Sequence, residues 1–280
     1  MKQDIYTVEE IAPQTWRIDE CGRDNCYLLC GSSRALLIDC SIGTGDLMAC
    51  VRSLTDLPLT VAVTHTHGDH AGGAHQFGTI WVPRAETHYT YRGQNLRVFR
   101  RELLSHRMRQ SGITNKDVRG RNWKTNWVPF DDGAVFDLGD RSVRAMAVPA
   151  HTVGGMVFFD DDNRLAFLGD TACPVLPMHT YRALSLSAWE AQSERLLTAL
   201  DGYTLWCGHS DGKMPYDLLK QQQVWVRELL EKYPQNAEKH QKAYYPAFDP
   251  AGCVGYDPAR LYDNPEEGWL GETWNSILHG

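Results

Sequence analysis

Apolar residues in this chain come in short runs that end on turn-forming residues. Thr15-Trp16-Arg17-Ile18, Cys26-Tyr27-Leu28-Leu29-Cys30 and Ala35-Leu36-Leu37-Ile38, divided by Gly and Asp/Asn turns, predict three strands of a meander. Residues 46–54 predict a helix, and Pro58 opens another strand over Leu59-Thr60-Val61-Ala62-Val63, which makes a βαβ step. Ile80-Trp81-Val82-Pro83 predicts a further strand, and a helical start at Glu86 runs on irregularly through residues 97–104, with no clean period before Pro129. From Phe130 to Val148 β character returns. Residues 154–159 are then predicted to pair with 165–168 across Asp160-Asp161-Asp162-Asn163, a turn whose carboxylates read as solvated. Ser187 with Glu190 three residues later predicts an N-cap and a helix to Leu200. A strand over 203–207 follows, and Leu218, Leu219, Val224, Val226, Leu229 and Leu230 recur at near-helical spacing over 216–233.

The run 59–63 leads into His65-Thr66-His67-Gly68-Asp69-His70, four metal-ligand side chains within six residues. On an extended backbone His65 and His67 face one point, and Gly68 lets the chain turn so that Asp69 and His70 face a second. Imidazole nitrogens and carboxylate oxygens suit zinc, and open sites of this kind belong to catalysis more than to structure. Three further candidates each follow an apolar run: His151 in Pro149-Ala150-His151-Thr152, Asp170 in Gly169-Asp170-Thr171 and His209 in Gly208-His209-Ser210. Strand ends gather at one edge of a sandwich, where loops bring such residues together. His75 falls outside this spacing and is not read as a ligand. Cys173, three residues after Asp170, reads as packing beside the site.

Composition narrows the classes. An even apolar content without linker-like stretches over 280 residues favours one domain, 1–280. Neither a leader-like amino terminus nor a membrane-spanning run is seen, so a cytoplasmic location is expected. The eight cysteines lie largely in or beside strands and read as reduced. A net charge of −7 argues against nucleic-acid or membrane partners. Residues 84–124 nevertheless hold 11 basic and 3 acidic residues, about +8, which leaves about −15 elsewhere. Beyond Pro234 the aromatic residues Tyr244, Tyr245, Phe248, Tyr256, Tyr262, Trp269 and Trp274 have no period, and residues 234–280 read as an irregular extension that wraps its own domain.

The motif and its followers resemble the H-x-H-x-D-H pattern of the metallo-β-lactamase superfamily. The resemblance implies an α/β fold, a four-layer αββα sandwich, with residues 84–130 as a helical insertion that shapes the substrate pocket. It also implies one zinc held by His65, His67 and His151 and a second by Asp69, His70 and His209. Asp170 would bridge them, and a shared hydroxide would attack a small ester-like substrate; Asp69 and Asp170 are the catalytic carboxylates. Asp39, in Asp39-Cys40-Ser41-Ile42-Gly43, is similar to the superfamily's first motif, where the carboxylate braces the ligand loop. Gly169-Asp170-Thr171 resembles the glyoxalase II thioesterase and lactonase branches rather than true β-lactamases. An iron persulfide dioxygenase using His65, His151 and Asp170 is the alternative from another class, and a phosphodiesterase, nuclease or β-lactamase would use the same metals. Flavodiiron enzymes usually carry Glu at the position of His67. A small-molecule substrate is the expected partner; the leaving-group acid, for which Tyr181, His179 and Tyr203 lie near motif positions, and any homo-oligomer are left open.

Overall fold

Strand β3 (Asp24–Cys30) is buried along its whole length, and its alternate residues serve two different cores. Cys26, Leu28 and Cys30 face one apolar cluster, and Tyr27 and Leu29 face another. The same division repeats along the molecule. The computed structural model describes residues 5–90, 112–114, 117 and 125–263. In chain order the elements begin with β1 (Tyr6–Ala12), β2 (Thr15–Glu20), β3, β4 (Ala35–Ile38), α1 (Leu47–Arg52), β5 (Leu59–Ala62), α2 (Gly68–Ala71), β6 (Thr79–Pro83) and β7 (Asn126–Phe130). Then come β8 (Val135–Asp137), β9 (Ser142–Ala147), β10 (Met156–Asp160), β11 (Leu165–Phe167), β12 (Val175–Pro177), α3 (Leu186–Leu200), β13 (Thr204–Trp206), α4 (Tyr216–Lys232), β14 (Ala243–Tyr245) and β15 (Cys253–Tyr256).

One sheet runs β1 to β7 in chain order, antiparallel through β4 and parallel from β4 to β7. A second has the order β13-β11-β10-β9-β8. Between them lies the cluster of Tyr27, Leu29, Leu36, Ile38, Phe136, Phe158 and Phe167. Leu47 and Val51 of α1 cover the outer face of the first sheet, and Trp189, Leu196 and Leu200 of α3 with Leu219, Val226 and Leu229 of α4 cover that of the second. These layers form the αββα sandwich. A third sheet, β12-β15-β14, packs beside α4, whose Gln222 amide donates to the carbonyls of Cys173 and Pro174.

Several expectations hold and several change. The 15–38 meander, the βαβ step through α1 and the hairpin of β10 and β11, with Phe158 opposite Phe167, are present. β1 was not predicted, because as a largely exposed edge strand its Val8, Glu9 and Glu10 show no buried period. The Asp160 carboxylate is not solvated: it is fully buried and paired with Arg141, whose guanidinium also donates to the carbonyls of Gln14 and Cys30. Helix α3 is capped by Ser185, not Ser187. Ser185 Oγ accepts from Ala188 N at 3.0 Å, while the Ser187 N–H is taken by the Leu261 carbonyl. Residues 126–130 of the expected insertion form strand β7, whereas most of 84–124, including nearly all its basic residues, lies outside the described residues. The extension is regular in part. Its β14 and β15 join the third sheet, and Tyr245, Tyr256 and Tyr262 pack on the core under α4; Trp269 and Trp274 lie outside the described residues.

Candidate metal centre

The candidate ligands leave the two main sheets at one edge, each on the loop that follows a strand. Residues 64–70 follow β5, His151 follows β9, Asp170 follows β11 and His209 follows β13. Asp39 follows β4, next to β5 in the same sheet. The structure brings all seven predicted side chains together. Among the described residues three groups have donor atoms within 4.8 Å of one another: His65, His67 and His151; His65, His70 and Asp170; and Asp69, His70 and His209.

In the first group His67 Nδ1 lies 3.0 Å from His65 Nε2 and 2.9 Å from His151 Nε2. The outer nitrogen of each ring is engaged elsewhere. His67 Nε2–H donates to the Tyr181 carbonyl at 2.7 Å, His151 Nδ1–H to the Pro177 carbonyl at 3.0 Å, and His65 Nδ1–H to Thr64 Oγ1 at 3.0 Å. A ring that donates from its outer nitrogen presents a lone pair on the inner one, so these contacts select the tautomers that bind metal. His209 follows the same rule, its Nδ1–H donating to the Arg23 carbonyl at 2.9 Å.

Asp170 lies between the groups, with Oδ2 3.1 Å from His209 Nε2 and 3.4 Å from His151 Nε2, and Oδ1 3.2 Å from His70 Nε2. Asp69 sits on the open side, Oδ2 being 4.0 Å from His209 Nε2 and 3.6 Å from Arg23 Nη2. Beneath them Asp39 accepts from His70 Nδ1 at 2.8 Å, from Thr64 N at 2.7 Å and from Thr64 Oγ1 at 2.9 Å. Asp39 thus braces His70 directly and His65 through Thr64. Cys173 is buried under the site, its Sγ 3.7 Å from Asp170 Oδ1. Gly208 is glycine because a side chain has no room there: a Cβ would stand 2.5 Å from His70 Cε1 and 2.8 Å from Asp170 Oδ1.

The electrostatics divide the site in two. Burial pushes the imidazoles of the first group down: His65 well below its usual value with help from the neighbouring rings, His67 to about 4 with the Arg182 charge adding, and His151 to about 3 against the pull of Asp170. All three are neutral at pH 7. In the second group burial is outweighed by charge. Asp170 and Asp39 raise His70 well above its usual value, and Asp170, Asp69 and Asp24 lift His209 to about 10. Those two imidazoles in turn hold Asp69 at about 2 and Asp170 well below the carboxylate range, again against burial. Without metal the cationic charge facing Asp69 and Asp170 therefore comes from the two imidazolium rings, with Arg23 beside Asp69.

A pH dependence follows for the metal-free protein. A histidine raised in the folded state stabilises it fully below its unfolded pKa of about 6.5, and that stability is lost as pH rises through the folded value. For His209 the loss runs from about 6.5 to about 10. The depressed His67 and His151 act oppositely, costing stability as pH falls from about 6.5 toward about 4 and about 3. Thermal unfolding of chelator-treated protein should give a Tm maximum near neutrality that declines by pH 10. A Tm flat from pH 7 to pH 10 would contradict these assignments.

The donor set fits divalent metal. It supplies imidazole and carboxylate at two adjoining points, three neutral imidazoles with inward lone pairs, and at His70 Nε2 a buried nitrogen without a hydrogen bond among the described residues. Of the other residues singled out in the sequence, His75 donates from Nδ1 to the Gly72 carbonyl and belongs to none of the three groups. Tyr203 is away from the site, packed on Phe159 and bonded to Asp161. His179 packs edge-on against Tyr244, and Tyr181 is exposed beside His67. Thr64, Arg23, Glu86 and Arg182 also contact the ligands or their loops and belong to no motif in the sequence. Thr64 was open to inference as the polar residue between a buried strand and the first ligand; the others carry no local signal.

Residues 20–209 match the family described as the metallo-beta-lactamase superfamily. Among curated proteins the chain is 28% identical over 195 residues to the acyl-coenzyme A thioesterase MBLAC2 of Homo sapiens, covering 64% of this chain and 69% of that one. It is 24% identical over 149 residues to a hydroxyacylglutathione hydrolase of Rhodopseudomonas palustris, covering 53% of this chain and 47%, about half, of that enzyme. The fold is similar to a metallo-beta-lactamase from Pontibacter korlensis, with a TM-score of 0.57 and 15% identity over 78% of this chain and 97% of that one. Among the described residues no helix is long and apolar enough to cross a membrane. The chain belongs to the metallo-beta-lactamase superfamily and is one of its hydrolases.

Proposed function

We propose that the protein is a dinuclear-zinc hydrolase that cleaves a small acyl thioester. The observation that carries the dinuclear reading is the placement of Asp170 against His151 on one side and His70 and His209 on the other. His65, His67 and His151 would hold one zinc, Asp69, His70 and His209 the other, and Asp170 both. Bound there, the metal pair supplies a nucleophilic water at neutral pH and a Lewis acid for the scissile carbonyl.

The chain's own residues orient and neutralise. Asp39, Thr64 and the carbonyls of Tyr181, Pro177 and Arg23 keep the inner imidazole nitrogens aimed without rearrangement during turnover. Asp69, on the open side with Arg23 Nη2 3.6 Å away, is placed to accept a proton from the attacking water. A thioester suits this arrangement because a thiol's pKa of about 8.5 lets the thiolate leave without a proton donor, unlike an alkoxide or an amide nitrogen. The thioesterase and glyoxalase II relatives support the same substrate class.

The reading is tested by a screen of the zinc-loaded protein against acyl thioesters, lactones, β-lactams and phosphodiesters, with free thiol as the thioester readout. Thioester turnover that exceeds the others by at least tenfold is expected. Oxygen uptake on a persulfide with iron bound, and no hydrolysis, would replace it with the dioxygenase alternative.

A further inference from the structure

Glu86 lies in the short 3-10 turn after β6 and its carboxylate is fully buried. A buried carboxylate must be spent on hydrogen bonds, and those of Glu86 go to three separate loops. Oε2 accepts from Thr66 N at 3.2 Å, from Thr66 Oγ1 at 2.5 Å and from Arg182 Nη1 at 3.2 Å. Oε1 accepts from Gly154 N at 3.0 Å. Thr66 stands between His65 and His67. Gly154 is three residues beyond His151, in the turn where Ala150 N and Gly155 N both donate to the Thr152 carbonyl. Arg182 follows Tyr181, whose carbonyl holds the outer nitrogen of His67.

The rest of the arrangement is built around this contact. Arg182 also donates to Thr66 Oγ1 at 3.0 Å, its guanidinium lies 4.4 Å from the centre of the Tyr89 ring, and its backbone takes a left-handed φ of 68°. A non-glycine residue keeps that conformation only where its surroundings hold it. Gly154 leaves room for the glutamate, since a Cβ there would come 2.6 Å from Glu86 Cγ. None of the four hydrogen bonds reaches Asp69, His70 or His209; His70 is held by Asp39, His209 by the Arg23 carbonyl, and Asp69 faces the Arg23 guanidinium.

We propose that Glu86 is a positioning residue for one metal subsite only. It holds His65, His67 and His151 as a set, so its loss weakens metal binding at that subsite and spares the other. The inference rests on the dinuclear reading above. Zinc titration of metal-free protein against a chromophoric chelator tests both and separates them. Two sites in the wild type support the dinuclear reading; a single site defeats that reading, and a single isotherm that Glu86→Gln leaves unchanged then overturns the positioning role separately.

In Glu86→Gln, which keeps the shape and loses the charge, one site should weaken about 10- to 100-fold, the range for residues that orient metal ligands, while the other shifts less than about threefold. Anomalous diffraction at the zinc edge should then show the lost occupancy among His65, His67 and His151. Equal weakening of both sites, or loss at the Asp69, His70 and His209 position, would overturn the proposal, as would unchanged affinities. Should Glu86→Gln not fold, Arg182→Gln removes the guanidinium's bonds to Thr66 and Glu86 while leaving the glutamate, and the same one-sided loss is expected.

Discussion

Asp170→Ala should lower kcat/KM by about 10³-fold or more, at or beyond the upper range for removing a group that stabilises charge in a transition state. It should also reduce bound zinc from about two per chain to one or fewer. Asp170 is placed against both histidine groups, within 3.4 Å of three imidazole nitrogens. Its loss removes the shared oxygen and leaves His70 and His209 without the carboxylate that raises both. The fold should survive, because in the metal-free variant these imidazoles can give up their protons rather than remain charged and buried. Kinetics on the thioester, elemental analysis and circular dichroism on one preparation check the three statements together. Unimpaired turnover would remove Asp170 from the mechanism.

Asp39 should show the second large effect, and here the two substitutions differ. Asp39→Ala leaves His70 Nδ1, Thr64 N and Thr64 Oγ1, all of buried residues, without their acceptor. Breaking a buried ion pair by removing one partner costs about 3–5 kcal/mol. The left-handed backbone at Asp39, with φ 62°, adds to the cost, because Asp and Asn tolerate it better than Ala. Asp39→Asn keeps the backbone preference and one acceptor oxygen. It should fold nearly as well as wild type yet lose about 10- to 100-fold in activity or metal affinity, the usual consequence of weakening a ligand's support. Denaturant unfolding of both variants beside metal titration separates the effects, and an Asp39→Ala protein as stable as Asp39→Asn would contradict the burial argument.

What could be read from the sequence was what is local. The histidine motif is legible because its four side chains lie within six consecutive residues at a strand end, and the strands themselves are legible in runs such as 26–30 that are buried on both faces. His151, Asp170 and His209 were legible only as a set, since each stands after an apolar strand whose end reaches the same edge. Residues whose role depends on contacts distant in sequence left no such trace. Glu86 meets Gly154 and Arg182 from 68 and 96 residues away. Asp160 sits in a run of acids that reads as a solvated turn, and only its pairing with Arg141 across the hairpin end shows why it is buried. The extension failed for a related reason. β14 and β15 have three and four residues, too short for a period to declare itself, and the pairing of β15 with β12 and of β14 with β15 fixes them.

Whether two metals share Asp170 in one site is decided by elemental analysis of the protein as purified, with each metal counted per chain and activity followed as metal is removed and returned. About two zinc per chain are expected, with loss of thioester hydrolysis on chelation and its return on adding zinc. About one iron per chain, with hydrolysis absent before and after zinc is supplied, would contradict the shared site.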